Sequence, residues 1–252
     1  MLLNHPIISS RYFFPRRAPL NDATMVDAAD GSRLACYRRS HNESSRTIVH
    51  FHGNGEIVRD YIGPIEGAFA ATGCNLFFSE YRGYGASTGI PALAGMLDDV
   101  EQIHSSLDIE DEEVIVFGRS VGSLYAIEFA HRHPKVAGLV IESGIADVLE
   151  RLLLRMTPQE LGCSKKELED AVNKVFDHEM KMSKLTSPLL VMHASGDILV
   201  DPSHGQRLFE WSGSIEKNLH IFDRGDHNSI MMVNWQEYWE VVGNFVSMVG
   251  QR

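Results

Sequence analysis

A serine flanked by glycines is the first feature of this sequence that could do chemistry. Ser120 stands in the run Gly118-Arg119-Ser120-Val121-Gly122, directly after the apolar residues 114–117 and before the helical pattern of residues 121–131. Small flanking residues let a chain turn sharply from strand to helix, so this spacing predicts a nucleophile elbow that exposes the hydroxyl. The Val121 amide and the positive end of the helix would then face an oxyanion that forms beside Ser120.

A serine hydroxyl with its ordinary pKa is a poor nucleophile, so it needs an imidazole base and a carboxylate that orients this base. Asp197 follows the apolar residues 189–193, and His227 follows the apolar residues 219–222. Loops at the carboxyl ends of parallel strands meet at one edge of a sheet. We therefore expect Ser120, Asp197 and His227 to converge there, in the chain order Ser, Asp, His.

The elements that must position these loops alternate along the chain. Short apolar runs rich in β-branched and aromatic residues predict buried strands, and longer segments with helical periodicity separate them. The predicted strands are 47–51, 75–79, 114–117, 136–142, 189–193 and 219–222, and the main predicted helices are 91–107, 121–131, 203–211 and 235–249. This alternation indicates an α/β fold with a mostly parallel central sheet and helices on both faces.

Two segments depart from the alternation. Residues 25–27 and 34–39 are joined by Asp30-Gly31-Ser32, which predicts a hairpin at an antiparallel edge of the sheet. Residues 143–188 contain no strand pattern but do contain helical stretches, including residues 164–182, which begin with a capping sequence at Ser164. We interpret residues 143–188 as a small helical insertion.

Composition limits the possible partners and location. Lysine and arginine number 23 against 34 acidic residues, for a net charge of −11, which argues against nucleic acid or anionic lipid as a partner. The three cysteines are widely spaced, without a zinc or disulfide pattern, and favour a reducing compartment. We find no export signal and no run of about 18 apolar residues that would span a membrane. A cytoplasmic protein is the expectation.

Further motifs complete a resemblance to the α/β-hydrolase superfamily, which extends over residues 34–249. Residues 193–200 are similar to its His-Gly-x-x-Asp-x-x-Val pattern, with alanine for the first glycine, and 52–55 (His-Gly-Asn-Gly) resemble its oxyanion loop. Residues 80–87 resemble its Asp-x-Arg-Gly-x-Gly-x-Ser loop, with Glu80 in place of aspartate, and we interpret this loop as architectural. The resemblance implies one α/β-hydrolase domain over residues 1–252, with residues 143–188 as a small cap.

This resemblance implies a serine hydrolase that cleaves a carboxylic ester or thioester through an acyl-enzyme. Ser120 would be the nucleophile, His227 the base and Asp197 the acid, and the backbone amides of Asn54 and Val121 would bind the oxyanion. No metal and no organic cofactor are implied, and the partner is a small acyl ester or thioester. In some members the acid follows the preceding strand, where this chain has Glu142.

Two other classes of protein remain as alternatives. A dinucleotide-binding protein would use Gly53-Asn54-Gly55 and Glu80, but its third glycine would fall at Val58. A hydrolase fold used only for binding usually lacks a member of the triad, and all three members are present here.

Several residues have a simpler interpretation. His52 is expected to brace its loop, and Asp201 and Asp226 are expected to be turn residues. We assign no function to His131 and His133.

Residues 11–17 are expected to pack on the edge of the sheet. Met156, Met180 and Met182 either line an acyl pocket or pack in the core, and the core is favoured.

Overall fold

Runs of β-branched and aromatic residues form the strands of the sheet, as the sequence predicts. The computed structural model describes residues 1–40 and 46–250. The predicted domain span of 1–252 also includes residues 41–45, 251 and 252, which lie outside the described residues. In the described part, the strands are β1 (Thr24–Asp27), β2 (Arg33–Arg39), β3 (Thr47–Phe51), β4 (Asn75–Ser79), β5 (Val114–Arg119), β6 (Gly138–Glu142), β7 (Leu189–Ala194) and β8 (Lys217–Phe222).

Helices follow most of the strands. Within residues 1–40 and 46–250 they are α1 (Pro6–Tyr12), α2 (Val58–Tyr61), α3 (Pro64–Ala70), α4 (Asp99–Leu107), α5 (Gly122–Arg132), α6 (Val148–Leu153), α7 (Lys165–Phe176), α8 (His178–Ser183), α9 (Ser203–Trp211), α10 (Ile230–Val233) and α11 (Trp235–Gly250). Short 3₁₀ turns lie at Leu2–Asn4, Gly95–Leu97, Asp111–Glu113 and Gln159–Leu161. None of the described helices is both long enough and apolar enough to cross a bilayer.

The sheet has the predicted mostly parallel organisation. In the described residues its strand order is β1-β2-β4-β3-β5-β6-β7-β8. Strand β2 runs antiparallel to both of its neighbours, and the remaining pairs are parallel. The β1–β2 pair, in which Asp27 lies opposite Arg33, is the hairpin expected from the Asp-Gly turn. The α/β class and the antiparallel edge are therefore confirmed.

Both faces of the sheet are covered. Successive residues of a strand point to opposite faces and belong to different hydrophobic clusters. Val49 and Phe77 belong to one cluster, whereas Ile48 and Phe78 belong to the other. All five residues of β3 are buried. A strand that is buried on both faces has no polar alternation, which explains the continuous apolar runs in the sequence.

Two predicted helices differ from the observed ones. The predicted helix 91–107 starts only at Asp99; before it, Asn4 Oδ1 accepts hydrogen bonds from the amides of Ala94 and Gly95 at the start of the 3₁₀ turn Gly95–Leu97. The predicted helix 164–182 is divided at Asp177, whose side chain caps α8 by accepting a 2.9 Å hydrogen bond from the Met180 amide. Its predicted start is correct, since Ser164 and Glu167 form a capping box.

Candidate active site

Ser120 occupies a sharp turn between β5 and α5. Its φ is +52°, a left-handed conformation that is uncommon for residues other than glycine. A Cβ atom at Gly118 would lie 2.5 Å from the Ala126 Cβ, and one at Gly122 would lie 2.1 Å from the Phe51 carbonyl oxygen. The two glycines therefore allow the turn to press against α5 on one side and β3 on the other.

The structure brings together the three side chains that the sequence proposes as a triad. Ser120 Oγ lies 2.8 Å from His227 Nε2, and His227 Nδ1 lies 2.7 Å from Asp197 Oδ2. All three residues are buried. Asp197 lies in the loop after β7 and His227 in the loop after β8, so three strand ends contribute one side chain each.

Asp197 is held as an anion by its surroundings. Its Oδ1 accepts 2.9 Å hydrogen bonds from the amides of Leu199 and Val200. Burial alone would raise the pKa of this carboxyl group, but hydrogen bonds from His193, His227 and the Val200 amide outweigh burial and hold the pKa below its ordinary value. An anionic Asp197 accepts a hydrogen bond from the Nδ1–H group of His227, which leaves Nε2 free to accept the Ser120 proton.

His193 is a contributor that the sequence reasoning did not assign a role. Its Nε2 lies 3.2 Å from Asp197 Oδ2 and 2.9 Å from the Val200 carbonyl oxygen, and its ring is completely buried. His193 therefore braces both ends of the Asp197 loop. The signal was available in the sequence, since His193 opens the eight-residue motif that contains Asp197.

A buried arginine beside the serine is a second unassigned contributor. The Arg119 guanidinium donates to the His227 carbonyl oxygen at 2.8 Å and to Glu142 Oε1 at 3.2 Å, and it pairs with Glu56. Glu142, the alternative acid, also accepts a 2.6 Å hydrogen bond from the Tyr238 hydroxyl. Burial raises the pKa of Glu142, and Arg119 only partly offsets this rise. Glu142 is therefore the ion-pair partner of Arg119, whereas Asp197 is the carboxylate that contacts His227.

The candidate oxyanion loop follows β3 and is held from two sides. Glu56 Oε2 accepts a 2.7 Å hydrogen bond from the Gly53 amide. Asn54 Oδ1 accepts hydrogen bonds from the Phe14 amide at 3.0 Å and from the Tyr84 hydroxyl at 2.8 Å. Asn54 and Val121 both line the cavity at Ser120, where the sequence places their amides as oxyanion donors. The Asn54 side chain has a positioning role that the sequence reasoning did not foresee.

The N-terminal segment contacts the loops after β3 and β4. Asn54 Nδ2 donates to the Tyr12 carbonyl oxygen, and Arg17 forms a β-bridge with Gly85. Tyr12 and Phe13 are buried in the same hydrophobic cluster as Val26 of β1 and Leu34 of β2, and packing of this segment on the sheet edge stays a prediction. The Phe14 amide and the Tyr12 carbonyl oxygen both form hydrogen bonds with the Asn54 side chain, and local sequence patterns do not reveal these contacts.

Glu80 has architectural contacts. Its Oε1 lies 2.7 Å from His52 Nε2, and its Oε2 accepts a 3.0 Å hydrogen bond from the Val58 amide at the start of α2. Burial would lower the pKa of His52, but Glu80 more than offsets this and raises it. His52 and Glu80 thus brace two loops, and Glu80 is buried with protein partners at both oxygens, which argues against a role in binding a ribose and so against the dinucleotide hypothesis.

A cavity of about 250 Å³ opens at Ser120. Its lining residues are Tyr12, Phe14, Asn54, Arg119, Ser120, Val121, Ile145, Arg151, Arg155, Leu199, Val200, His227 and Asn228. Two larger hollows, of about 540 and 560 Å³, are lined by other residues and contain none of the candidate triad. We assign the site to the smaller cavity because a reacting group must reach Ser120 Oγ.

The methionines of the insertion do not line this cavity. Met156 and Met182 belong to the hydrophobic core, and Met180 is half-buried elsewhere. The acyl-pocket interpretation of these residues is therefore wrong, and the core interpretation holds for Met156 and Met182. The insertion instead supplies Ile145, Arg151 and Arg155 to the cavity.

One cluster of possible metal ligands lies away from this cavity. Ligand atoms of Glu101, His104 and His133 lie within 4.8 Å of one another. The two imidazole rings stack face to face with centroids 3.6 Å apart, and His104 Nε2 lies 2.7 Å from Asp111 Oδ1. The nitrogen lone pairs of stacked rings lie in nearly parallel planes and cannot both point directly at one ion, so we assign no metal here.

Known proteins are similar to this chain over most of its length. A family model described as "Serine aminopeptidase, S33" matches residues 42–165. "Alpha/beta hydrolase domain-containing protein 17B" of Homo sapiens is 30% identical over 232 residues, which cover 88% of this chain and 74% of the human protein. "Alpha/beta hydrolase domain-containing protein 17C" of Mus musculus is 29% identical over 228 residues, which cover 87% of this chain and 65% of the mouse protein.

Solved structures of low sequence identity share the fold. An esterase of Pyrococcus furiosus superimposes with a TM-score of 0.72 at 19% identity, covering 93% of this chain and 98% of the esterase. A monoacylglycerol lipase of Paleococcus ferrophilus superimposes with a TM-score of 0.67 at 18% identity, covering 86% of this chain and 99% of the lipase.

Proposed function

This chain belongs to the α/β-hydrolase superfamily, and from that premise we propose that it is a serine hydrolase that cleaves a carboxylic ester or thioester through an acyl-enzyme. The observation that carries the proposal is the chain of hydrogen bonds from Ser120 through His227 to Asp197, with lengths of 2.8 and 2.7 Å, at the end of a cavity. We further propose that residues 1–252 form one domain, with residues 143–188 as a small helical cap.

The reaction has two half-reactions. His227 Nε2 removes the Ser120 proton while Oγ attacks the acyl carbon, and the Asn54 and Val121 amides stabilise the oxyanion. His227 then gives the proton to the leaving alcohol or thiol, and the acyl group stays on Ser120. In the second half-reaction His227 activates water, which releases the carboxylic acid and restores the serine. Asp197 holds the imidazole and stabilises its cationic form throughout.

An aminopeptidase is a second candidate, because the family model carries that description. An aminopeptidase must recognise the positively charged amino group of its substrate, and a carboxylate near the nucleophile normally does so. The described residues that line the cavity include no aspartate or glutamate, whereas they include arginines from the insertion. The electrostatics of the cavity therefore favour an ester or thioester substrate.

Covalent labelling tests the proposal. A fluorophosphonate probe should phosphonylate the protein at Ser120 with loss of fluoride, and intact mass followed by peptide mapping measures the adduct. Ser120→Ala should abolish the adduct, while Ser195→Ala, which changes an exposed serine of the Asp197 loop, should keep it. A Ser120→Ala protein that is still labelled would contradict the assignment of the nucleophile.

Turnover distinguishes the remaining hypotheses. We expect release of p-nitrophenol from p-nitrophenyl esters, or of thiol from matched thioesters, and little release of p-nitroaniline from aminoacyl p-nitroanilides. Faster hydrolysis of the anilides would favour the aminopeptidase. Absence of both labelling and turnover would favour a hydrolase fold used only for binding.

A further inference from the structure

The cavity at Ser120 has a charge opposite to that of the whole protein. The chain has a net charge of −11, yet Arg151 and Arg155 both line the cavity and no carboxylate does so among its described lining residues. Arg151 lies in the last turn of α6, and Arg155 follows four residues later, just after the helix ends. This spacing brings two side chains to the same side of a helical segment.

Neither Arg151 nor Arg155 forms an ion pair with any residue of 1–40 or 46–250, whereas neighbouring arginines are paired. Arg207 lies 3.4 Å from a carboxylate oxygen of Glu150, and Arg11 lies 2.7 Å from one of Glu160. Glu150 and Glu160 of the insertion are thus paired with cations that do not line the cavity.

The N-terminal segment fixes where these charges lie relative to the reacting atoms. The Arg155 guanidinium stands 5.0 Å above the centre of the Phe14 ring. The Phe14 amide in turn donates to Asn54 Oδ1, so the aromatic support of Arg155 is tied to the candidate oxyanion loop. Both arginines also act electrostatically on the buried Tyr12: burial raises the pKa of its hydroxyl to about 12, and the two positive charges oppose this rise.

We propose that Arg151 and Arg155 bind an anionic group of the substrate, so that the substrate is an ester or thioester that carries a carboxylate or phosphate. This inference rests on the proposed serine hydrolase function. A guanidinium presents several donors in one plane, and this arrangement matches the two oxygens of a carboxylate or phosphate. In a protein of strongly negative charge, two unpaired arginines also attract an anion to one place on the surface.

Matched esters test the inference in two arms, because the anion can belong to the acyl group or to the leaving group. The first arm compares mono-p-nitrophenyl adipate with p-nitrophenyl hexanoate, which has the same number of acyl carbons without the charge. The second arm compares 3-carboxy-4-nitrophenyl hexanoate with p-nitrophenyl hexanoate. We expect kcat/KM for the anionic ester to exceed that of its neutral counterpart about 10-fold in one arm, since a charged hydrogen bond contributes about 1.5 kcal/mol or more.

Substitution assigns the preference to these arginines. In Arg151→Gln/Arg155→Gln the ratio of anionic to neutral kcat/KM should fall about 10-fold, and Arg151→Lys/Arg155→Lys should restore part of it, because lysine keeps the charge but loses the planar fork. The control is Lys174→Gln, which removes one positive charge from an exposed residue of α7 that does not line the cavity. This control should leave the ratio unchanged.

The outcomes separate this inference from the proposed function. Labelling and turnover by the wild-type protein without charge preference in either arm would overturn the inference and leave the serine hydrolase intact. The inference would also be overturned if the ratio of anionic to neutral kcat/KM were the same in Arg151→Gln/Arg155→Gln as in Lys174→Gln. Absence of labelling and of turnover with every ester would overturn the proposed function, and this inference with it.

Discussion

The Arg119 guanidinium donates a 2.8 Å hydrogen bond to the backbone carbonyl oxygen of His227. Arg119 directly precedes the candidate nucleophile, and His227 is the candidate base. The same guanidinium pairs with Glu142 at the end of β6 and with Glu56 in the loop that contains the candidate oxyanion amide. One buried cation therefore connects the turn at Ser120 with the His227 loop and the candidate oxyanion loop.

Replacing Arg119 should cost much more stability than replacing an exposed arginine. Arg119→Met leaves Glu142 as a buried carboxylate without its cation, and removal of one partner of a buried pair costs about 3–5 kcal/mol. Arg33→Met breaks only an exposed pair with Asp27, which costs less than about 1 kcal/mol. Urea unfolding of the two variants and the wild type measures the difference.

A second substitution separates the cost of leaving Glu142 unpaired from the cost of losing the other contacts of Arg119. Adding Glu142→Gln to Arg119→Met removes the unpaired charge and should recover part of the lost free energy of unfolding. Equal stability of Arg119→Met and Arg33→Met would contradict the proposed role of this network.

Asp197→Asn should reduce kcat by about 10⁴-fold, because an amide cannot stabilise the cationic imidazole and favours the wrong tautomer of His227. The control is Asp226→Asn, which changes the residue next to the base but keeps an oxygen that accepts from the Asn228 and Ser229 amides. Steady-state kinetics with one chromogenic ester measures both variants. If the two variants lose activity equally, Asp197 is not the acid.

A methyl group at either elbow glycine should strongly destabilise the protein. Gly122→Ala would place its Cβ 2.1 Å from the Phe51 carbonyl oxygen, and we expect a loss of about 3 kcal/mol. Gly67→Ala is the control, because Gly67 lies inside α3 and a Cβ atom there would have no atom within 4 Å other than those of its chain neighbours and the backbone of its own helix. It should gain about 0.5–1 kcal/mol. Chemical denaturation measures the stability of both variants. If Gly122→Ala and Gly67→Ala were equally stable, the close approach of Gly122 to the Phe51 carbonyl oxygen would be contradicted.

His178 should make the stability of the protein depend on pH. Burial, reinforced by the charge of Lys181, lowers the pKa of this imidazole to about 4, against weaker opposing effects that include hydrogen bonding to the Ile145 carbonyl and the charge of Glu128. Because the folded state disfavours protonation, the contribution of His178 is complete above about pH 6.5 and is lost progressively as the pH falls toward 4. The loss should reach about 3 kcal/mol.

His178→Asn tests this pH dependence, since asparagine can still donate to the Ile145 carbonyl oxygen but does not titrate. The free energy of unfolding is measured at several values between pH 4 and pH 7. The difference between wild type and variant should change over this range. A constant difference for His178→Asn would contradict the prediction.

Local patterns in the sequence predicted the strands, most helices and the order of the candidate site residues. The apolar runs that became β3 and β5, the Asp-Gly turn between β1 and β2 and the capping box at Ser164 each depend on neighbours within a few residues. Ser120, Asp197 and His227 could be placed at strand ends for the same reason. The motif around each of them is local, and the parallel sheet fixes which ends of the strands coincide.

Only the tertiary structure decided which side chains surround those residues. The partners of Arg119, the position of Tyr12 and Phe14 against Asn54, and the place of Arg151 and Arg155 in the cavity all join segments distant in sequence. Such contacts depend on how loops and helices pack after the sheet has formed, and no periodicity or turn signal encodes them. Whether an arginine is buried and paired or lines a cavity is therefore determined by the assembled fold and not by its place in the chain.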